Sequence, residues 1–219
     1  MNGVRAKLTP YLNRSNKMTD EQLHYLAFKN GFDVIELEEY QDLKTSQKLQ
    51  VWSHVRNFPQ GACLKGQGLK LTEENSEIFE ALQEHDREKF IDAVGDSIVV
   101  IGIIAHMKDY DVDVLTSDRG CPEYWLNTVE FERHIDNACF VATAFDLQRS
   151  LGLVAEAIAK DKGLIVPINH FMKALCALTH MVGFDPMACF SAAFSEIENR
   201  RGRMIEGVFV KQDDLKAGV

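Results

Sequence analysis

The sequence predicts an all-α fold, a helical bundle followed by a short extended C-terminal tail. Three observations carry that expectation. Apolar residues recur at three- and four-residue steps along most of the chain. Few segments alternate with the two-residue period of a half-buried strand. Cap residues, prolines and glycines punctuate the apolar runs at helix-length intervals.

The elements follow in order. Residues 1–18 are polar and basic without a clear period, a loose arm. "TDEQLHYLAFKNG" opens on an N-cap at Thr19, has Gln22 three residues on and stops at Gly31. "DVIELEEYQDL" is ambiguous. "TSQKLQVWSHVRNF" sets Leu49, Trp52 and Val55 on one face of an amphipathic helix. "PQGACLKGQGLK", with Pro59 and three glycines, predicts a loop. Two helices, about 72–84 and 87–108, come next, joined by the charged "QEHDREKF". The second is rich in Val and Ile, but its length favours helix over strand. "DYDVDVLTSDRGCPEYW" connects to helices over 127–149 and 151–161. Pro167 suits the first turn of a helix over 167–182, which "GFDP" ends. The last long helix is 186–200, and "RRGRMIEGVFVKQDDLKAGV" reads as extended, with a strand-like "GVFVK". The domain plan is an N-terminal arm with a short helix (1–44) and one α-helical domain (45–219). That domain holds a helix pair at 72–108, inserted or duplicated helices at 110–189 and a basic tail at 190–219.

An internal echo supports the word duplicated. "EALQEHDREKFIDAVGDSIVVIGIIAHMKDYD" can be laid on "EAIAKDKGLIVPINHFMKALCALTHMVGFD". Asp96 then falls opposite His170 and Glu77 opposite Leu153, so the second copy lacks the acids. Helical periodicity alone also creates such matches.

Composition narrows the function classes. The chain has 219 residues and a net charge of −9, which argues against nucleic acid as a partner. No apolar run reaches the roughly 18–20 residues of a membrane helix, so no membrane is expected. The first thirty residues lack a signal-peptide core. Five cysteines without CxxC spacing argue against a disulfide framework or a zinc site, and a cytoplasmic location is expected. Most of them read as small apolar core residues.

The chemistry concentrates in carboxylates. Glu74 and Glu77 are three residues apart and share a helix face; Glu73 is four from Glu77. Asp92 and Asp96 are four apart on the next helix, and Asp96 lies where the apolar run begins. A short connection folds the two helices back, so the acidic faces meet. Clustered like charges repel unless a cation sits among them. Oxygen-only donors suit a hard ion, Mg²⁺ or Mn²⁺, and such an ion points to phosphate chemistry. Glu73, Glu74 and Glu80 also suit a solvated face near a helix N-terminus. Asp96 is harder to place in water, and Gly95 beside it signals close approach by another helix or a ligand.

The run "KLTEENSEIFEAL…FIDAVGDSIVVIGIIA", with "AFSEIENRRGRMIEGVFVKQDDL" near the C-terminus, resembles the MazG-like, all-α nucleoside triphosphate pyrophosphohydrolases, in particular the short versions common in bacteriophages. The family's ExxE motif falls on Glu74 and Glu77, with Glu73 the extra glutamate before it. Its ExxD motif falls on "DAVGD": Asp96 matches the aspartate, Ala93 stands at the glutamate position, and Asp92 is the substitute. "WSHVRNF" resembles the helix before the first motif. The likeness covers roughly 50–108 and 190–215; the segment 110–189 is outside the short family pattern. The resemblance implies Mg²⁺-dependent hydrolysis of a nucleoside triphosphate, a dNTP by preference, to the monophosphate and pyrophosphate, in control of nucleotide pools. Glu74, Glu77, Asp92 and Asp96 would hold the metal. Glu73 would position or deprotonate the attacking water. A phage-encoded chain would work in the host cytoplasm, as a dimer or tetramer.

The basic tail supplies Arg200, Arg201, Arg203 and Lys211. These suit a helix C-terminus, and with an acidic metal site they suit phosphate oxygens. The resemblance implies that the tail closes over the triphosphate, with Gly202 and Gly207 letting it bend. Trp52 would stack on a base, although core packing is the simpler reading. His106 and His180 lie on apolar faces as core or interface residues. "GACLKGQG" lacks the ending of a phosphate loop. The alternative to an enzyme is a catalytically weak nucleotide-sensing or partner-binding bundle, motivated by Ala93 and the unmatched middle segment. A structural helical protein with a solvated acidic face is the third reading.

Overall fold

The computed structural model describes residues 44–110, 137–198 and 200–216. Within them the chain forms α1 (Thr45–Val55), α2 (Phe58–Gly61), α3 (Leu64–Glu84), α4 (Arg87–Met107), α5 (Asn137–Ala159), α6 (Ile165–Val182) and α7 (Pro186–Ile197). The strands β1 (Gly202–Ile205) and β2 (Val208–Lys211) and a last helical turn, α8 (Gln212–Lys216), complete it. The described residues are mostly helical, as the apolar periodicity requires. The arm, the helix expected from Thr19, the connecting loop from 111 and the start of the helix expected at 127 lie outside the described residues.

Helix α4 is the centre of the fold, and α1, α2, α3, α6 and α7 all pack on it. Its start is fixed by Asp86, whose carboxylate accepts a hydrogen bond from the Lys89 N–H at 3.0 Å. Val94, Ile98, Ile101 and Ile104 are fully buried. Neighbours on several sides explain why this helix is apolar around much of its girth rather than along one stripe. Only His85 and Asp86 separate α3 from α4, and His85 takes the left-handed conformation (φ 58°) that turns the chain back. Helices α5 and α6 form a second pair, with α5 against α3 and α6 against α4. Leu49, Trp52 and Val55 are buried along α1, as their spacing required.

Four expectations are corrected. The glycine-rich "PQGACLKGQGLK" is not a loop: α2 and the first turns of α3 occupy it. Packing overrides propensity there, because Gly68 lies against the Ile158 side chain of α5 and Leu71 is fully buried. The expected break near residue 150 is absent, and α5 runs unbroken through Gly152 because Leu147, Leu151 and Val154 keep one continuous buried stripe. Helix α7 ends at Ile197, three residues short of the expected 200, because the chain turns there into the hairpin. Finally, α4, most of α5 (Ala138–Ala159) and α6 are each long and apolar enough to cross a membrane by length and composition. Isolated polar residues hide this in a search for uninterrupted runs. The α4 span is largely buried inside the protein and the α5 span is the least so. Of the cysteines, Cys176 and Cys189 are buried as expected, while Cys63 and Cys139 are exposed.

The close approach foreseen at Gly95 is made by α7. A Cβ on Gly95 would lie 2.4 Å from the Cys189 carbonyl oxygen and 2.6 Å from Ala193 Cβ. Gly95→Ala therefore forces α7 outwards. Alanine gains about 1 kcal/mol in helix propensity, but overpacking costs roughly 1–3 kcal/mol, so urea denaturation should show a net loss. An unchanged or higher midpoint would mean that α4 and α7 have room to separate. Higher on the same face, Ser53 of α1 hydrogen-bonds His106 Nδ1, and the His54 and His106 rings lie 5.6 Å apart. Burial lowers the pKa of both to about 4, so both are neutral at neutral pH.

Candidate functional site

Glu74 is buried for a simple reason. It lies between Leu71 and Ile78 on the core stripe of α3, where three- and four-residue steps meet α4. Only 2% of its surface is exposed. Asp96 follows Gly95 on the facing helix and is half-buried. The charge of Asp96 is felt at Glu74. Burial raises Glu74 to about 7, opposed by the neighbouring Lys70 ammonium and reinforced by the Asp96 charge. Burial raises Asp96 to about 6, reinforced by Asp92 and opposed by Lys70 and Arg200.

These groups edge a cleft of about 390 Å³. Its floor is Val99, Val100 and Ile103 of α4 with Ile197 of α7. One wall is α3, with Lys70, Glu73 and Glu74; the other is the C-terminal segment, with Arg200, Phe209 and Lys211. Lys70 Nζ lies 2.6 Å from Glu74 Oε1, an ion pair rather than an aligned hydrogen bond, and 3.1 Å from Glu73 Oε2. Burial works against the Lys70 charge, but the two carboxylates outweigh it and raise its pKa.

The hairpin wall is built by three devices. Glu206 and Gly207 both take positive φ (47° and 84°), the two-residue turn that suits the twist of a hairpin. The Cys63 N–H donates to the Gly207 carbonyl at 2.9 Å, tying the turn to the start of α3. At the other end, Trp52 Nε1 donates to the Ile197 carbonyl at 2.8 Å, and the Arg56 guanidinium donates to the Arg200 carbonyl at 2.7 and 3.1 Å. Trp52, Phe58 and Phe209 form an aromatic cluster with centroids 5.5–5.9 Å apart.

The structure brings part of the expected set to one cleft. Glu73, Glu74, Asp96, Arg200, Lys211 and Trp52 all line the cleft. Glu77 is half-buried one turn along α3 and Asp92 is exposed one turn before Asp96; neither lines it. Arg201 and Arg203 are exposed and outside the cleft lining. The pleat explains Arg203: it pairs with Val210, whereas Phe209 and Lys211 point to the opposite face. Trp52 contributes an edge, not an open stacking surface. It is 6% exposed, packs in the aromatic cluster, and Arg56 lies over its ring at 4.4 Å. Gly202 is packed under the Phe209 ring rather than serving as a free hinge.

Two features were missed. Lys70 stands three and four residues before Glu73 and Glu74, the spacing of a helical ion pair, and could have been found by it. Phe209 and Arg56 carried no local signal, because their partners are distant in sequence.

Among the described residues, no three His, Cys, Asp or Glu side chains converge into a ready metal cage. The expected set Glu74, Glu77, Asp92 and Asp96 is thus not assembled. Lys70 supplies the positive charge beside Glu74, and uncompensated carboxylates do not draw together. The chemistry of the donors nevertheless fits a hard divalent ion. They offer only oxygen, and Glu74 is a buried carboxylate whose ionisation calls for a cation. Glu77 is half-buried and Asp92 exposed, and each lies within one helical turn of the Glu74–Asp96 pair. No protein-family model matches the chain, and no curated protein or solved structure matches it.

Proposed function

We propose that this protein is a metal-dependent nucleoside triphosphate pyrophosphohydrolase of the MazG-like, all-α type. One observation carries the reading. Acids and bases from opposite ends of the domain, Glu73, Glu74 and Asp96 with Arg200 and Lys211, edge a single cleft with an apolar floor. Separate carboxylate and cationic walls suit a ligand with a polyphosphate and an apolar ring.

Glu74 and Asp96 would hold the metal, with Glu77 and Asp92 turning in from the adjacent helical turns. A bound Mg²⁺ or Mn²⁺ supplies positive charge to phosphate oxygens and lowers the pKa of a coordinated water. Glu73, exposed at the rim, would orient the attacking water or take its proton. Arg200 and Lys211 would bind the β- and γ-phosphates. Val99, Val100 and Ile103 would receive the base, and Trp52 would buttress the wall. Arg201 and Arg203 would act outside the cleft. Assembly as a dimer or tetramer belongs to the same reading.

The test is pyrophosphate release from a panel of canonical and modified dNTPs and NTPs with Mg²⁺, Mn²⁺ or EDTA. Metal-dependent release of pyrophosphate, with one nucleotide preferred, is the expected outcome. A second reading rests on Ala93, which stands at the motif's glutamate position and is buried, and on Asp92, which is off the cleft. A nucleotide sensor with a crippled metal site would be stabilised by the same nucleotides and release no pyrophosphate.

A further inference from the structure

The charges lining the cleft balance: Lys70, Arg200 and Lys211 against Glu73, Glu74 and Asp96. One of the three cations differs from the others. Arg200 and Lys211 belong to the far wall, whereas Lys70 is on the acidic wall, in direct contact with both glutamates. A divalent ion arriving alone would meet a lysine already paired with its principal ligand. A divalent ion arriving with a polyphosphate brings the anion that the released lysine needs.

We propose that Lys70 is a tethered cation handed from Glu74 to the anionic ligand when a divalent metal enters, so that metal and polyphosphate bind together better than either binds alone. This rests on the metal-dependent reading above. The side chain is suited to the exchange. Lys70 is 46% exposed on a flexible four-carbon stem, so it can leave Glu74 without being pulled from a packed core. Its base lies on the cleft wall facing Arg200 and Lys211, so the ammonium can move to phosphate oxygens without a backbone change. Lys70 acts here as a ligand-binding residue; the coupling is thermodynamic, and what it adds to metal binding it must add equally to polyphosphate binding.

The test uses the full chain and two titrations. Mn²⁺ alone is titrated into the parent and K70M; the preformed Mn²⁺–tripolyphosphate complex is titrated into both. K70M should bind Mn²⁺ alone about tenfold more tightly and the complex about tenfold more weakly, the size of one charge-assisted contact. K70R, which keeps the charge, should follow the parent in both. Opposite shifts are the signature, because simple damage to the cleft weakens both. Equal or weaker Mn²⁺ binding by K70M, with the parent binding normally, overturns the role of Lys70 and leaves the enzyme reading standing. No binding of Mn²⁺ or the complex by any variant overturns both. Should K70M not fold, K70Q, which keeps a hydrogen-bond donor for Glu74, is put through the same titrations with the same criteria.

Discussion

Glu74→Gln should melt higher than the parent at pH 8 in EDTA, and should release pyrophosphate far more slowly in Mg²⁺. The two effects have one origin. Glu74 has about the usual carboxylate pKa in the unfolded chain and about 7 in the folded one, because burial opposes its charge. The folded state therefore holds the extra proton between about 4.5 and about 7. A raised carboxylate contributes stability that is fully present below its unfolded pKa and is lost as pH rises through its folded pKa. At pH 8 the ionised side chain is a burden of about 1–3 kcal/mol. Glutamine fills the same space without charge and removes it. Lys70 loses a partner but remains beside Glu73 and half in water, so little is given back. On the proposed reading the same substitution also removes an oxygen that would hold the metal, and release should fall on the order of a hundredfold or more. Melting curves from pH 5 to 8 check the first half: the parent should lose ground to the variant as pH rises, and Mg²⁺ should narrow the gap. A variant that is less stable at pH 8, or that still turns over at the parent rate, would remove Glu74 from the centre of the site.

Trp52→Ala carries the largest expected stability cost, about 3–5 kcal/mol. The indole is buried, packs on Phe58 and Phe209, carries Arg56 on its face and donates to the Ile197 carbonyl. Its loss leaves a cavity and detaches the hairpin wall from α1. Arg200 and Lys211 then lose their fixed positions, so ligand affinity should fall along with stability. Trp52→Phe separates the roles. It keeps most of the ring packing and forfeits the hydrogen bond, at about 1 kcal/mol, and should leave nucleotide KM nearly unchanged. If Trp52→Phe weakens nucleotide binding as much as Trp52→Ala does, the ring touches the base after all.

The legible parts of the fold were those set by local pattern. The α3–α4 pair was readable because the charged break between the helices is short. The burial of Leu49, Trp52 and Val55 followed from their spacing alone. The same held for Gly95, whose cost in a helix demanded a reason, and α7 supplied it. What failed was set at a distance. The start of α3 is held by contacts with α5 across Gly68, and no composition rule for glycine reports that. In the site, the acids were visible as periodic pairs and the bases as a cluster, but Arg203 and Lys211 could not be told apart before the strand register fixed which face each takes. Lys70 was overlooked because a lone lysine near glutamates ordinarily signifies a solvated surface; only the burial of Glu74 makes it significant.

The bonds from Trp52 and Arg56 to Ile197 and Arg200 span 145 and 144 positions of chain. Joining ends so far apart carries a loop-closure entropy that nearer contacts do not meet, so such pairings form late in folding. During synthesis the acidic wall leaves the ribosome long before the basic one exists. A nascent chain that has reached α6 already holds both carboxylate helices and Lys70, but neither Arg200 nor Lys211. The cleft is therefore complete only when the last turns of α7 and the hairpin have been made, and its appearance reports that the two ends of the described fold have met.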